Sequence, residues 1–121
     1  MRGIGIDAVD VERFRRLLER RPSLRERFFT AAELASVSGR VDDAPSLAAR
    51  FAVREAAMKA LGVGLGGFDF RDVSVIREES GAPSLVVTGR ARVLADAAGV
   101  ESWQVSITHT DSVAMAVVVA L

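Results

Sequence analysis

The first ten residues, MRGIGIDAVD, alternate and are β-branched around their glycines, and at Asp10 the pattern gives way to VERFRRLLER. It predicts a first strand, buried, that runs straight into a helix with Asp10 as N-cap and Pro22 as terminator. FTAAELASV has Thr30 followed three residues later by Glu33, the pattern of a capping box, and predicts a short helix closed by Gly39. From Ser46 to Gly62, SLAARFAVREAAMKALG sets Leu47, Phe51, Met58 and Leu61 at helical spacing. This long helix opens between Asp42 and Pro45 and ends in LGVGLGGF, whose glycines suit a C-cap followed by a turn.

Beyond it the chain is mostly strand. FRDVSVIR and SLVVTG flank the turn EESGAP, RARVLADAAG reads as a short helix, and SWQVSITH and VAMAVVVAL form a closing pair joined at TDS. A strand, then helices, then an antiparallel meander give an α+β class, with a long helix and shorter ones packed on one face of a small, mostly antiparallel sheet. The 121 residues suffice for one domain, 1–121, with no internal repeat or long linker.

Charge complicates the long helix. At about 100° per residue, Arg54 falls in the apolar stripe of Leu47, Phe51, Met58 and Leu61, while Glu55 and Lys59 share the adjoining flank. An i,i+4 ion pair is the ordinary account of Glu55 and Lys59. Composition weighs against it, because Lys59 is the single lysine among sixteen basic residues.

Several classes are excluded or disfavoured. The longest apolar run, VAMAVVVAL, is far short of the roughly 20 residues of a membrane span, and the N-terminus has no signal-peptide core, so a soluble, cytoplasmic protein is expected. Without cysteine there is no disulfide, thiolate nucleophile or cysteine-based zinc site, and any metal is held by oxygen or by the one imidazole, which favours hard divalent ions. Sixteen basic residues balance sixteen acidic ones, which gives no support to bulk nucleic-acid binding. The balance is uneven locally: Glu12 to Arg27 carries seven arginines against three glutamates. That stretch is either a basic surface for an acidic partner or a solvated face laced with pairs such as Glu12 and Arg16.

Two further residues stand out. Asp7 follows GIGI inside the first strand, where a buried carboxylate must be paired, metal-bound or protonated, unless it is only a strand-end turn residue. His109, the only histidine, ends VSITH between the hydroxyls of Thr108 and Thr110, in a structural or a catalytic role. Two carboxylates, a lysine and a histidine are a candidate set for a magnesium phosphate site, in which the carboxylates would hold the metal and the cations the phosphate oxygens. Dinucleotide and phosphate-loop readings fail, since GIGID lacks the third glycine and GVGLGG follows its helix instead of preceding one.

These segments resemble the holo-acyl carrier protein synthase family of 4'-phosphopantetheinyl transferases over nearly the full chain. GIGIDAVDVERF is similar to the family's G-[IV]-G-x-D-x-x-[ED]-x-x-R, RFFTAAEL to F-T-x-x-E, ARFAVREAAMKALG to R-F-A-x-K-E-A-x-x-K-A-L-G, and VSITHT to [VI]-S-[IL]-[ST]-H-[ST]; GAPSLVVTGRA sits where the family has G-[AK]-P, a strand and Gly. Arg54 replaces the family's usual lysine, THT its usual SHS, and Asp10 its common glutamate.

The resemblance implies transfer of the phosphopantetheine arm of coenzyme A to a serine of an acidic acyl carrier protein, with release of adenosine 3',5'-bisphosphate. It makes Asp7 and Glu55 the Mg²⁺ ligands and Glu55, Lys59 and His109 the catalytic residues, with the serine proton passing to Glu55 or to a metal-bound water. Arg50, Arg54, Lys59, Gly62 and His109 become coenzyme contacts, and Arg13, Arg16 and Arg20 the carrier-docking face. It further implies a homotrimer with sites between subunits. The competing expectation is a non-catalytic, carrier-binding or oligomeric scaffold that has kept the fold.

Overall fold

The computed structural model describes all 121 residues. Strand β1 (Gly3–Asp10) leads directly into α1 (Val11–Arg20), and Asp10 caps the helix by accepting from the Arg13 backbone N–H at 2.8 Å. Pro22 follows, and then a short helix that the sequence pattern did not announce, α2 (Leu24–Phe28). Helix α3 (Ala31–Val37) starts with the expected capping box of Thr30 and Glu33. The long helix α4 (Ala44–Ala60) carries Pro45 in its first turn, where a missing N–H costs nothing. A 3-10 turn (Phe70–Asp72), β2 (Val73–Arg77), β3 (Pro83–Val87), α5 (Gly89–Ala97), β4 (Trp103–His109) and β5 (Val113–Ala120) complete the chain.

The α+β class holds, but the strands divide differently from a single meander. The first and last strands pair, so that one antiparallel sheet has the order β1-β5-β4, and β2 and β3 form a separate hairpin. Helix α4 packs on β1 and β5.

That packing depends on small residues. A Cβ added at Gly3 would lie 1.9 Å from the Ala60 carbonyl oxygen, and one at Gly5 equally close to that of Ala56. Only glycine lets β1 lie directly on the helix. Ala52, Ala56, Ala116 and Ala120 keep the remaining interface equally thin. The expectation of a buried first strand is thereby corrected: its glycine face is covered, whereas Ile4 and Ile6 point away and are 57% and 55% exposed. The alternating pattern was real, but the helix took the side that carries the two glycines.

Helix α4 is buried on most sides, beyond the stripe its large residues define, with Leu47, Ala48, Ala52, Val53 and Ala56 fully covered. Phe51, placed in the stripe, is only partly covered and joins Phe14, Phe28, Phe29 and Phe70 in an aromatic cluster beneath α1 and α2. No helix is long and apolar enough to cross a membrane.

Candidate active site

Glu55 emerges from the partly open flank of α4 opposite Asp7, on the helix-facing side of β1. Both carboxylates line a groove of about 310 Å³ whose walls include Asp10, Arg13, Leu17 and Phe51. Burial and then the neighbouring Asp7 charge push the Glu55 carboxyl above its usual range, and Lys59 opposes them. The ordinary i,i+4 pair of Glu55 with Lys59 does not form. Lys59 instead crosses to β1, donating to the Ile6 carbonyl at 2.8 Å and to Asp7 Oδ1 at 3.2 Å. Glu55 accepts no hydrogen bond from the protein and is the unpaired carboxylate of the groove.

Arg54, one residue earlier, has a different fate. It is fully buried; Nε donates to the Phe70 carbonyl at 2.8 Å, Nη1 to the Arg50 carbonyl at 3.1 Å, and Nη2 to Glu33 Oε1. Its guanidinium also lies 5.0 Å from the Phe29 ring centroid. Desolvation pulls its proton affinity down and Glu33 restores part of it. The expected coenzyme contact at Arg54 is therefore corrected: no ligand reaches it, and it is a core ion pair. Glu33, legible in sequence as a helix cap, is the other half of that pair, and its Oε2 also accepts from the Val75 backbone N–H at 3.2 Å.

His109 and Arg50 sit elsewhere. Asp7 belongs to the edge strand β1 and His109 to the opposite edge strand β4, with β5 between them. His109 lines a small cavity with Ser46, Arg50, Arg77 and Pro83. A neighbouring groove of about 380 Å³ collects Arg40, Arg50 and Arg77. Burial lowers the proton affinity of Arg50; Glu33 opposes it, and the charges of Arg40, Arg54 and Arg77 add smaller effects in the same direction as burial. The sequence reading missed Arg40 and Arg77. Arg77 was traceable, since it shares the parity of Val73 and Val75, which face inward on β2.

Gly62 has φ of 70° just beyond α4, a backbone requirement of helix termination that accounts for glycine there without a ligand. Along α1, Arg13 and Arg20 are exposed and form no ion pair, and Arg16 makes only a loose one with Glu12 at 3.3 Å. Arg15 is committed to Asp42, and Arg25 to Asp43, which tie the segment before α4 to α1 and α2.

The chain, over residues 3–118, matches the family model of the 4'-phosphopantetheinyl transferase superfamily. It is 48% identical over 118 residues to a holo-[acyl-carrier-protein] synthase of Streptomyces avermitilis, covering 98% of this chain and 95% of that protein. It is 44% identical over 113 residues to one of Moorella thermoacetica, covering 93% and 88%. Among solved structures, the holo-[acyl-carrier-protein] synthase of Neisseria meningitidis superposes with a TM-score of 0.90 at 28% identity, over 100% of this chain and 98% of that one. The Helicobacter pylori synthase in complex with coenzyme A gives 0.84 at 31%, over 98% and 99%. The chain belongs to the 4'-phosphopantetheinyl transferase superfamily, in its holo-acyl carrier protein synthase group. It is an enzyme of that transferase class.

Proposed function

We propose that this chain moves the phosphopantetheine arm of coenzyme A to a serine hydroxyl of an acidic acyl carrier protein. A bond forms from the serine oxygen to the phosphorus that carries pantetheine, the pyrophosphate link to that phosphorus breaks, and adenosine 3',5'-bisphosphate leaves. The observation that carries this reading is the open pair of Asp7 and Glu55 with Lys59 beside it. Two carboxylates face one groove, and one of them has no partner in the protein.

The donor set suits Mg²⁺. Asp7 and Glu55 are not part of any cluster of three or more acidic or imidazole side chains, and magnesium commonly takes one or two carboxylates and fills its remaining positions with water and substrate phosphate. Bound there, the ion would neutralise charge developing on the departing phosphate. Lys59, held over Asp7, faces the same charge. Glu55, with its raised proton affinity, has the property a base for the serine hydroxyl needs. Arg50 and His109 belong to a cationic surface suited to the remaining phosphates of the donor. Arg13 borders the carboxylate groove, and with unpaired Arg20 and loosely paired Arg16 it gives α1 a basic surface that suits an acidic carrier.

Asp7 and His109 on opposite sheet edges support a homotrimer whose sites lie between neighbours. So does the open face of that sheet, where Ile4, Ile6 and Met115 are exposed and Val117 and Val119 stand in register beside the isoleucines. Mass spectrometry of an apo carrier protein incubated with this chain, Mg²⁺ and coenzyme A tests the reaction. A gain of one phosphopantetheine arm is expected; an unchanged carrier mass would overturn it.

A further inference from the structure

Arg50 is half-buried and pairs with no carboxylate, yet it is anchored at one end. Its Nη1 donates to the Glu33 carbonyl at 3.1 Å and to the Ser36 hydroxyl oxygen at 2.9 Å, and Ser36 Oγ donates in turn to the Glu33 carbonyl at 2.7 Å. The remaining nitrogens, Nε and Nη2, have no acceptor in the protein, and neither is sealed from solvent. That leaves open the edge of the guanidinium that forks onto two phosphate oxygens. Arg50 lines both the groove shared with Arg40 and Arg77 and the cavity shared with His109, so its free edge borders the cationic surface.

We propose that Ser36 is a positioning residue, which by holding Nη1 turns the Nε–Nη2 edge of Arg50 toward a phosphate of the donor. The hydroxyl stands on a fixed support, because α3 is locked by its capping box and by the buried pair of Glu33 with Arg54. Without it, a half-buried arginine regains rotamers that binding must then remove. A serine bonded back to the carbonyl three residues earlier is in itself common in helices, and in that case Ser36 would serve only α3. The proposal rests on coenzyme A being the donor.

The test uses Ser36→Ala, Ser36→Thr, Arg50→Ala and the double variant Ser36→Ala/Arg50→Ala. Steady-state kinetics with coenzyme A and apo carrier give kcat and KM, and calorimetry gives the affinity for adenosine 3',5'-bisphosphate. Ser36→Ala is expected to raise KM for coenzyme A about fivefold and weaken the bisphosphate by a similar factor, with kcat within about twofold. Ser36→Thr should restore both values, and Ser36→Ala should add nothing once Arg50 is alanine. An unchanged KM and affinity, or an effect that persists in full without Arg50, overturns the positioning role while an active wild type leaves the transferase reading standing. A wild type that binds no coenzyme A overturns both.

Discussion

Arg54 and Glu55 are adjacent in sequence and carry opposite charges on one helix, but they lie in opposite environments. Arg54 is sealed in the core, and each of its nitrogens donates to a protein oxygen. Glu55 is partly open, destabilised as an anion by burial and by Asp7, and without an ion pair of its own. Burying a charge is tolerated when the fold supplies its partners, and the structure then depends on both of them being present. A half-buried charge left without a partner stabilises nothing in the free protein, and its use lies in what binds there. The contrast separates the two roles that sequence alone had merged in a single charged helix.

The largest effect should come from breaking the closed pair. Glu33→Ala leaves the Arg54 guanidinium buried against no carboxylate and strips Val75 N–H of its acceptor, a loss of about 3–5 kcal/mol. Against a typical total of about 5–15 kcal/mol, that removes much of the stability. Urea unfolding should show the midpoint falling steeply. A midpoint near wild type would mean that the pair does not hold α3 to α4 and β2.

Opening the other region should do the reverse. Asp7→Ala and Glu55→Ala are each expected to cut Mg²⁺-dependent turnover by at least about a hundredfold. Neither should lower the unfolding free energy by more than about 1 kcal/mol, since the only ion pair lost is that of Asp7 with the largely exposed Lys59. Folded variants with full activity would remove the metal assignment.

Much of this contrast was legible before folding. Thr30 and Glu33 wrote their cap in local spacing, Asp10 wrote its own, and the oddity of a single lysine pointed to the flank where Lys59 lies. What escaped was whatever depends on a third body. Glu33 reaches Arg54 and Val75 across 21 and 42 residues, which no local period encodes. Which face of β1 would be covered was equally hidden, because two glycines pack against α4 by what they lack. The short α2 has too few residues to show a period at all.

The separation of Asp7 from His109 can be tested by recombining subunits. His109→Ala and Asp7→Ala, each inactive alone, are unfolded together in equal amounts and refolded. If the chain forms the proposed homotrimer, roughly a quarter of all sites in random cyclic trimers would have an intact Asp7 beside an intact His109 from a neighbour. Activity should return to about that level. Mixed trimers that stay inactive would place any action of His109 within its own chain.

A smaller effect is expected along α1, whose Arg13 borders the carboxylate groove. Reversing charge at Arg13, Arg16 and Arg20 should raise KM for the carrier by about tenfold at low salt and leave KM for coenzyme A nearly unchanged. Wild-type activity should fall as added salt screens the same surface. If both KM values rise together, α1 belongs to the coenzyme site.

The smallest effect is the stability signature of Glu55 itself. Its carboxyl has a higher proton affinity in the folded chain than in the unfolded one, because folding removes water from it and brings Asp7 close. Between the ordinary glutamate range and the raised value, the folded state therefore binds more protons than the unfolded state. Its contribution to stability must then fall as pH rises through that window and level off above it. Glu55→Gln, which cannot ionise, should flatten this part of the profile and leave the rest in place. Mg²⁺ added above the window should restore stability to wild type, by favouring the ionised carboxylate, but not to Glu55→Gln. Denaturant midpoints measured across the weakly acidic range, with and without Mg²⁺, read all three outcomes. A profile indifferent to both the substitution and the ion would mean that Glu55 is as well accommodated as Arg54, and that the two neighbours do not differ in kind.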